Sequence, residues 1–245
     1  MLPLFGHVPM ILGEDGERLS KRHGAISVMQ YCEEGVLPEA LVNYLARLGW
    51  SHGDNEKFSR DKLVEWFDFE HISRSPARFD PDKLRWLNQQ YIKEADNERL
   101  AKLTLPFLER DGCTVGQGAP LTEVVALLKE RVSTIEELAD AAVYFYRELE
   151  PSAELKKQHY AAEIKPALAD LQLRLAAIEW TRAKINEAVK SVVTEYKLKM
   201  PKLAMPLRVM VTGEAQTPSI DATLELIGRE QVLARMQKQL QTFPA

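Results

Sequence analysis

The sequence predicts a mainly α-helical fold. Along most of the 245 residues, apolar side chains recur at steps of three and four, the spacing of one helix face. Prolines, serines, threonines and aspartates stand where these stripes begin, and glycines where they end, as helix caps do. A strand-like pattern is confined to the start, where Asp15-Gly16 is expected to turn a small β-hairpin between residues 10–12 and 18–19.

The helices of the first half are predicted from local start and stop signals. The first begins at a proline in an initial helical position and stops at Gly49, because glycine ends helices readily. The next ones begin at a capping serine or aspartate, and the last of them ends near Gly112. The predicted starts are Pro38, Ser59, Asp80 with Pro81, and Asp96.

The second half continues the helical pattern. Residues 121–132 are predicted to be helical, and Ser133 with Glu136 has the spacing of a capping box for the next helix. Two further helices begin at Pro166 and at a capping Thr181. We expect the remaining prolines and glycines to divide the C-terminal stretch into short helical pieces, the last covering residues 229–240; the dividing residues are Pro206, Gly213, Pro218 and Gly228.

Composition restricts the class of protein. Hydrophobic residues make up 45% and charged residues 28% of the chain, as in a soluble globular protein with a substantial core. We expect a cytoplasmic protein without a membrane span, because no apolar run approaches the roughly 18 residues that a span needs. Cys32 and Cys113 are isolated in the sequence, which disfavours a disulfide framework or a metal site.

Although the net charge of the chain is −4, one segment of it is basic. Residues 174–208 contain eight Lys and Arg residues against three glutamates, a net charge of about +5. Such a segment is either a surface that neutralises RNA phosphates or the solvated face of helices with mixed charge. Both interpretations remain open from the sequence alone.

The stretch RLSKRHGAISVMQY, residues 18–31, carries the most informative motif. A basic loop is followed directly by a helix start, with Ser27 and Gln30 at capping-box spacing. The stretch resembles the second signature loop of class I aminoacyl-tRNA synthetases, in the form found in bacterial glutamyl-tRNA synthetases. This resemblance implies a ligase that attaches glutamate to its tRNA through a glutamyl-adenylate.

A mobile basic loop suits amino-acid activation, because negative charge develops on the phosphates of ATP as pyrophosphate leaves. Lys21 is the predicted catalytic residue, placing its ammonium group near those phosphates. By the resemblance, the ATP-binding residues are Arg18, Leu19, Ser20, Lys21 and Arg22. The resemblance also implies ATP and L-glutamate as substrates and Mg²⁺ in the full-length enzyme, with no cofactor or metal expected on this chain alone.

Two further segments extend the resemblance and suggest a division of the chain. PEALVNYLARLGWSHG, residues 38–53, and SPARFDPDKLRWLNQQYI, residues 75–92, are similar to the helical stem-contact region of the same family. The expected order is an edge of the catalytic domain with the hairpin (1–24), a stem-contact helical domain (25–94), and two helical anticodon-binding subdomains (95–150 and 151–245).

Arg131 is the first candidate for anticodon recognition. LLKERVSTIEE, residues 127–137, places this arginine at the end of one helix and just before the next. A cation there is also explained by the helix dipole alone. In the family, the arginine matching this junction reads the last anticodon base and separates glutamate tRNA from glutamine tRNA, a task that suits the paired donors of a guanidinium.

The second candidate group lies in MPLRVMVTGEAQTPSID, residues 205–221. Thr217 is expected to cap a helix whose first turn contains Pro218, and Arg208 is equally compatible with a phosphate contact or a surface charge. In the family, the matching residues approach the anticodon bases. By the resemblance the group is Arg208, Thr217, Pro218 and Ile220.

The resemblance therefore implies the tRNA-recognition half of a glutamyl-tRNA synthetase, a C-terminal piece that lacks most of the catalytic domain. We expect this chain to be a monomer that binds glutamate tRNA and is inactive alone, because the nucleotide-binding fold with its His-containing signature is not found in these residues. The alternative is a stand-alone helical RNA-binding module without catalytic function. The phosphate loop near the N-terminus favours the synthetase.

Overall fold

The computed structural model describes residue 5 and residues 7–20, 27–116 and 118–243. The chain forms two compact units, each of which is built from two separate segments of the sequence. The first unit consists of residues 1–96 and 129–138, and the second of residues 97–128 and 139–245. The four-part division expected from the sequence stays a prediction beside this two-unit arrangement.

The described residues of the first unit form a small sheet and four α-helices. Its elements are β1 (Ile11–Leu12), α1 (Val28–Glu33), α2 (Pro38–Arg47), α3 (Arg60–Trp66), β2 (Ala77–Arg78) and α4 (Pro81–Glu94), with a 3₁₀ turn at Lys129–Arg131. The helix starts predicted at Pro38, Ser59 and Asp80 are confirmed: the Ser59 side chain accepts from the Lys62 N–H and that of Asp80 from the Lys83 N–H.

The second unit is built of helices. They are α5 (Asn97–Arg110), α6 (Leu121–Leu128), α7 (Ile135–Tyr146), whose first turn belongs to the first unit, α8 (Ala153–His159), α9 (Lys165–Ala177), α10 (Arg182–Glu195), α11 (Met200–Thr212), α12 (Ile220–Ile227) and α13 (Arg229–Leu240). A 3₁₀ turn at Ala162–Ile164 precedes α9. The prediction of a mainly α fold is confirmed, including the predicted last helix.

The hairpin at the start is present as an antiparallel bridge, and β1 has a second partner that the sequence does not reveal. Leu12 bridges Arg18, and the Leu19 N–H donates to the Ile11 carbonyl at 2.9 Å. On its other side, β1 pairs with β2 in parallel, with Ile11 opposite Ala77. The loop that carries the signature motif is thereby tied to the segment just before α4.

The core of the first unit lies between α2 and α4. Leu41 and Tyr44 of α2 pack against Leu84 and Leu87 of α4. The Tyr44 hydroxyl accepts from the Asp80 N–H at 2.6 Å and donates to the Asp80 carbonyl at 2.9 Å, so the N-cap of α4 is fixed to α2. Burial raises the pKa of this tyrosine to about 12.

The second unit is centred on α9, α10, α11 and α13, whose apolar stripes are buried; fully buried members include Leu168, Leu171, Leu175, Ile185 and Leu203. A buried arginine also joins this core. Arg235 of α13 donates to the carbonyls of Tyr144 and Val211, at 2.8 and 2.7 Å. Burial lowers the pKa of its guanidinium, and the two carbonyls supply the partners that a buried cation needs.

Helix boundaries differ from the sequence predictions at two points in this unit. The helix predicted for 121–132 ends at Leu128 and is followed by the 3₁₀ turn. Pro206 was expected to divide the chain, but it lies inside α11 and is buried there. Its missing N–H leaves the Lys202 carbonyl without the usual intrahelical donor, a cost that the buried side chains of α11 offset.

The capping box predicted at Ser133 and Glu136 is wrong by one residue. The Thr134 hydroxyl accepts from the Glu137 N–H at 3.1 Å, and the Glu137 carboxylate accepts from the Ser133 N–H at 2.6 Å. Tertiary contacts set this register, because the Ile135 N–H donates to the Gly35 carbonyl and the Ser133 carbonyl accepts from Asn88.

Candidate functional site

The signature loop is described up to Ser20. The Gly13 N–H donates to the Glu17 carbonyl at 2.8 Å, and the Glu17 N–H donates to the Asp15 carboxylate at 3.0 Å. Gly16 has a φ of +81°, which a glycine adopts without strain and which closes this turn. The turn therefore sets the direction in which the chain leaves toward the basic motif.

Arg18 is exposed, and Leu19 and Ser20 are half-buried. Arg18 is held at the bridge with Leu12, so its backbone position is fixed while its side chain faces solvent. Lys21 and Arg22, the remaining members of the predicted ATP-binding group, lie outside the described residues.

Arg131 ends the 3₁₀ turn between α6 and α7 and is exposed. Its side chain makes no hydrogen bond or ion pair with any residue that the structure describes, so it is available to a ligand. The turn is held in place by its neighbour, since the Lys129 ammonium donates to the Ala95 carbonyl at 3.0 Å.

Three of the four residues predicted between 205 and 221 converge at the junction of α11 and α12. Arg208 Nε donates to the Thr217 hydroxyl at 2.8 Å, and another nitrogen of the same guanidinium is 3.4 Å from the Pro218 carbonyl. Arg208 also lies 3.2 Å from the Met205 sulfur. The fourth residue, Ile220, is half-buried in the first turn of α12.

The predicted capping role of Thr217 is wrong. The N-cap of α12 is Ser219, and Pro218 precedes the helix instead of occupying its first turn. The Thr217 hydroxyl accepts from Arg208 and donates to the Pro218 carbonyl at 3.1 Å, which leaves it no role at the helix end. Thr217 is 7% exposed, so Arg208 presents the more accessible polar group of the pair.

Sequence reasoning missed a second set of contacts at the same junction. Arg182, the first residue of α10, donates from Nε to the Asp221 carboxylate at 2.8 Å and from another nitrogen to the Ser219 hydroxyl at 3.2 Å. Burial alone would raise the pKa of Asp221, but hydrogen bonds from Arg182, Ser219 and Asn186 outweigh it and lower the pKa to about 2. The start of α12 is thus tied to α10 by a charged pair.

One signal in the sequence points to this pair. The first turn of a helix favours acidic residues, because backbone N–H groups and the helix dipole make it electropositive. The first turn of α10 contains Arg182 and Lys184 and no acid. An arginine in that position indicates an anionic partner outside its own helix.

In the described ranges, no group of three or more His, Cys, Asp or Glu side chains is arranged to hold a metal ion. We therefore assign no residue of these ranges to Mg²⁺. No helix among the described residues is both long and apolar enough to cross a membrane.

Two family models match the sequence of this chain. The model of the anticodon binding domain matches residues 99–240, which contain Arg131 and the α11–α12 junction. The model of the catalytic domain of class I tRNA synthetases (E and Q) matches residues 1–86, which contain the signature loop. Together they assign the chain to the class I aminoacyl-tRNA synthetases, as part of a catalytic domain followed by an anticodon-binding domain.

Similar proteins narrow this class. The glutamate–tRNA ligase of Nitrosospira multiformis is 66% identical over 244 residues, covering 99% of this chain and 52% of that protein. The glutamate–tRNA ligase of Thiobacillus denitrificans is 62% identical, and the match covers 98% of this chain and 51% of that protein. A crystal structure of a glutamate tRNA ligase from Elizabethkingia meningosepticum in complex with its amino acid superimposes with a TM-score of 0.89 at 27% identity, covering 99% of this chain and 52% of that one.

The chain belongs to the glutamyl-tRNA synthetase family and spans about half the length of the curated relatives it matches. The resemblance to bacterial glutamyl-tRNA synthetases is confirmed, and the stem-contact role of residues 38–53 and 75–92 stays a prediction. The roles of individual site residues stay predictions.

Proposed function

We propose that this chain is the tRNA-recognition half of a glutamate–tRNA ligase, which joins glutamate to its tRNA by way of glutamyl-adenylate. The observation that carries the proposal is the convergence of Arg208, Thr217 and Pro218 within the region matched by the anticodon-binding model. The arrangement offers guanidinium donors beside a buried proline and a half-buried isoleucine. Unstacked bases of an RNA loop are bound by such donors and apolar surfaces.

Arg131 supplies discrimination between tRNAs in this proposal. Its exposed guanidinium has no partner among the described residues, so pairing with a base edge breaks no existing contact. Shortening it to a neutral glutamine removes the bidentate donors while keeping a polar side chain.

Binding of the whole chain to glutamate tRNA and glutamine tRNA tests this role. We expect the chain to prefer glutamate tRNA and Arg131→Gln to reduce the preference about 10-fold, the worth of one good base contact. Arg60→Gln, which alters another exposed arginine of the same unit, serves as the control and should leave the ratio of dissociation constants unchanged. An unchanged ratio in Arg131→Gln would remove Arg131 from the site.

The signature loop is proposed to contact ATP, with Arg18, Leu19, Ser20 and Arg22 lining the phosphates and Lys21 acting on the leaving pyrophosphate. ATP and L-glutamate are the substrates of the complete enzyme, and the protein is proposed to work as a cytoplasmic monomer. Mg²⁺, where the complete enzyme uses it, is assigned no ligand in the described ranges. Because the catalytic model matches 86 residues at most, we expect this chain alone to bind tRNA without activating glutamate.

Pyrophosphate exchange into ATP in the presence of glutamate tests the catalytic part. The chain alone should give no exchange, and a fusion to the upstream half of the Nitrosospira multiformis ligase should restore it. In that fusion, Lys21→Ala should lower the exchange rate about 100-fold, as expected for loss of a group that stabilises developing charge. Lys62→Ala, which removes an exposed lysine paired with Glu65, is the control. Exchange by the chain alone would contradict the proposal.

A further inference from the structure

The basic segment 174–208 divides into two parts with different electrostatics. The first part is neutralised by ion pairs: Arg174 with Asp170 and Glu195, Arg182 with Asp221, and Lys184 with Glu187. The second part consists of exposed lysines that form no ion pair with any described residue: Lys190, Lys197, Lys199 and Lys202. The unpaired positive charge of the segment is therefore concentrated at the end of α10 and the start of α11.

An open groove of about 1010 Å³ lies along α10, and one of these lysines, Lys190, lines it. It is lined from Arg182 to Glu195, a length of roughly 20 Å at 1.5 Å per residue, and by Asp221 of α12. At one end of the groove, Asp221 is three residues from Pro218 in the sequence. At the other end, Glu195 is two residues from Lys197. Each acid of the lining is already paired with a basic residue, which leaves Lys190 as the lining cation without an ion pair among the described residues.

Lys197 has a backbone conformation that is costly for a lysine. Its φ is +51°, a left-handed value that no other non-glycine residue of the described ranges adopts. It terminates α10, where the Lys197 N–H donates to the Thr194 carbonyl and the Leu198 N–H to the Val193 carbonyl. Glycine is the favoured residue at such a helix end, because it has no Cβ to strain. A strained position occupied by an exposed cation indicates that the side chain has a use.

We propose that the α10 groove and the three lysines at its end, Lys197, Lys199 and Lys202, hold the phosphate backbone of the RNA strand whose bases contact the α11–α12 junction. This inference rests on the proposed function and adds a second kind of contact to it. Phosphate contacts position the RNA and carry no base information, whereas the junction distinguishes bases. Lysine suits this role, because a mobile ammonium group binds phosphate as a point charge in many orientations.

The first test replaces the three lysines with alanine in the whole chain. Dissociation constants are measured for a glutamate tRNA transcript, and for transcripts with one anticodon base replaced, between 50 and 200 mM salt. The triple variant should bind every transcript more weakly by about the same factor. The slope of log K against log salt should fall by about 2 to 3, roughly one for each lost phosphate contact.

A matched control replaces Lys102, Lys157 and Lys165, which belong to α5, α8 and α9 and also form no ion pair within the described ranges. This control removes the same total charge but should reduce the slope by less than 1. An equal slope change in both triple variants would show a general charge effect and overturn the proposal. So would a changed preference among anticodon transcripts in the first variant, because the lysines would then contact bases.

Lys197→Gly separates binding from folding. Glycine relieves the left-handed strain, so the midpoint of thermal unfolding should stay the same or rise. The salt slope should nevertheless fall by about 1, and the dissociation constant should rise several-fold. A lysine kept only for structure would lower the unfolding midpoint when removed. Unchanged RNA binding in Lys197→Gly would contradict the proposal.

The outcomes distinguish this inference from the proposed function. If anticodon replacements leave the binding of the parent chain unchanged but the lysine variants lower the salt slope, the proposed base recognition is wrong and the proposed phosphate contacts are supported. If the parent chain prefers certain anticodon bases and the lysine variants bind like the parent, the proposed base recognition is supported and the phosphate contacts are wrong. If the parent chain binds none of the transcripts even at 50 mM salt, both proposals are wrong.

Discussion

Asp221 fixes the start of α12 to α10 through its ion pair with Arg182. Its side chain is 11% exposed and accepts from Arg182, with Asn186 3.5 Å away. Burial opposes its charge, but these hydrogen bonds outweigh burial and hold the pKa at about 2. Because this pKa lies below the value near 3.9 of an unfolded chain, the contribution to stability is present above about pH 4 and is lost as the pH falls toward 2.

Asp221→Asn should therefore make the free energy of unfolding depend less on pH in the acidic range. Between about pH 5 and about pH 3, the parent chain should lose about 1 kcal/mol more unfolding free energy than the variant, since part of the shift is titrated in that window. Urea unfolding at the two pH values measures the difference. Arg182→Gln keeps the carboxylate but removes its charged donor, and should flatten the profile in the same direction. A variant with the slope of the parent would show that this carboxylate does not contribute.

Individual residues were predictable where their partners are close in the sequence. The caps at Ser59, Asp80 and Thr181 each accept a hydrogen bond from a residue three positions later, so the residue types alone revealed them. Thr217 has the same capability, but Arg208, nine residues earlier, donates to its hydroxyl. A local pattern gives no information about such a competitor, and it was the family resemblance that placed both residues in one candidate group.

At the scale of elements, Gly35 lies in close contact with the first residues of α7. Gly35 has a φ of +77°, and its carbonyl accepts from the Ile135 N–H at 2.9 Å. A Cβ at this position would lie 2.5 Å from the Glu136 nitrogen and 2.6 Å from that of Ile135. Because these are backbone atoms, no side-chain movement relieves the overlap.

Gly35→Ala should lower the free energy of unfolding by about 2 to 4 kcal/mol, combining backbone strain with overpacking. Gly53→Ala is the matched control, because Gly53 also has a positive φ, +54°, but nothing lies within 4 Å of its Cβ position. Strain alone should cost the control about 1 kcal/mol. Denaturant unfolding of both variants measures the difference, and equal losses would mean that the close approach at Gly35 is unimportant.

The prediction of helices and strands from the sequence is also limited by contacts between residues that are distant in the sequence. Helix existence followed from apolar spacing, and the last helix was predicted with its observed bounds, Arg229–Leu240. The interruption expected at Pro206 did not occur, because buried neighbours stabilise α11 around the proline. The parallel pairing of β1 with β2 joins residues 66 positions apart, and two-residue strands carry no pattern from which to predict it.

At the scale of the whole molecule, the chain passes between its two units three times, near residues 96, 128 and 138. The segment 129–138 carries Arg131 and belongs to the first unit, although the sequence on both sides of it belongs to the second. Composition does not change at these points, so a linear division of the sequence does not predict the exchange. The contacts that define it, such as Asn88 with the Ser133 carbonyl, join distant residues.

Separate cores predict separate responses to core mutations. Leu87 of α4 is 2% exposed in the first unit, and Leu171 of α9 is fully buried in the second. Truncation of either to alanine should cost about 3 kcal/mol through lost burial and a residual cavity. Because each side chain packs within its own unit, the loss should lower the free energy of opening of that unit first.

Hydrogen exchange followed by mass spectrometry measures this response peptide by peptide. Leu87→Ala should accelerate exchange in α2 and α4 while α9, α10 and α13 keep the protection of the parent chain, and Leu171→Ala should do the opposite. Ala substitution at the exposed Leu173, two residues after the core position in α9, is the control and should alter neither set. Equal loss of protection in both units after either core mutation would mean that the chain unfolds as one cooperative structure. In that case, a mutation in the unit that carries the signature loop would also weaken the helices that we propose to contact the anticodon.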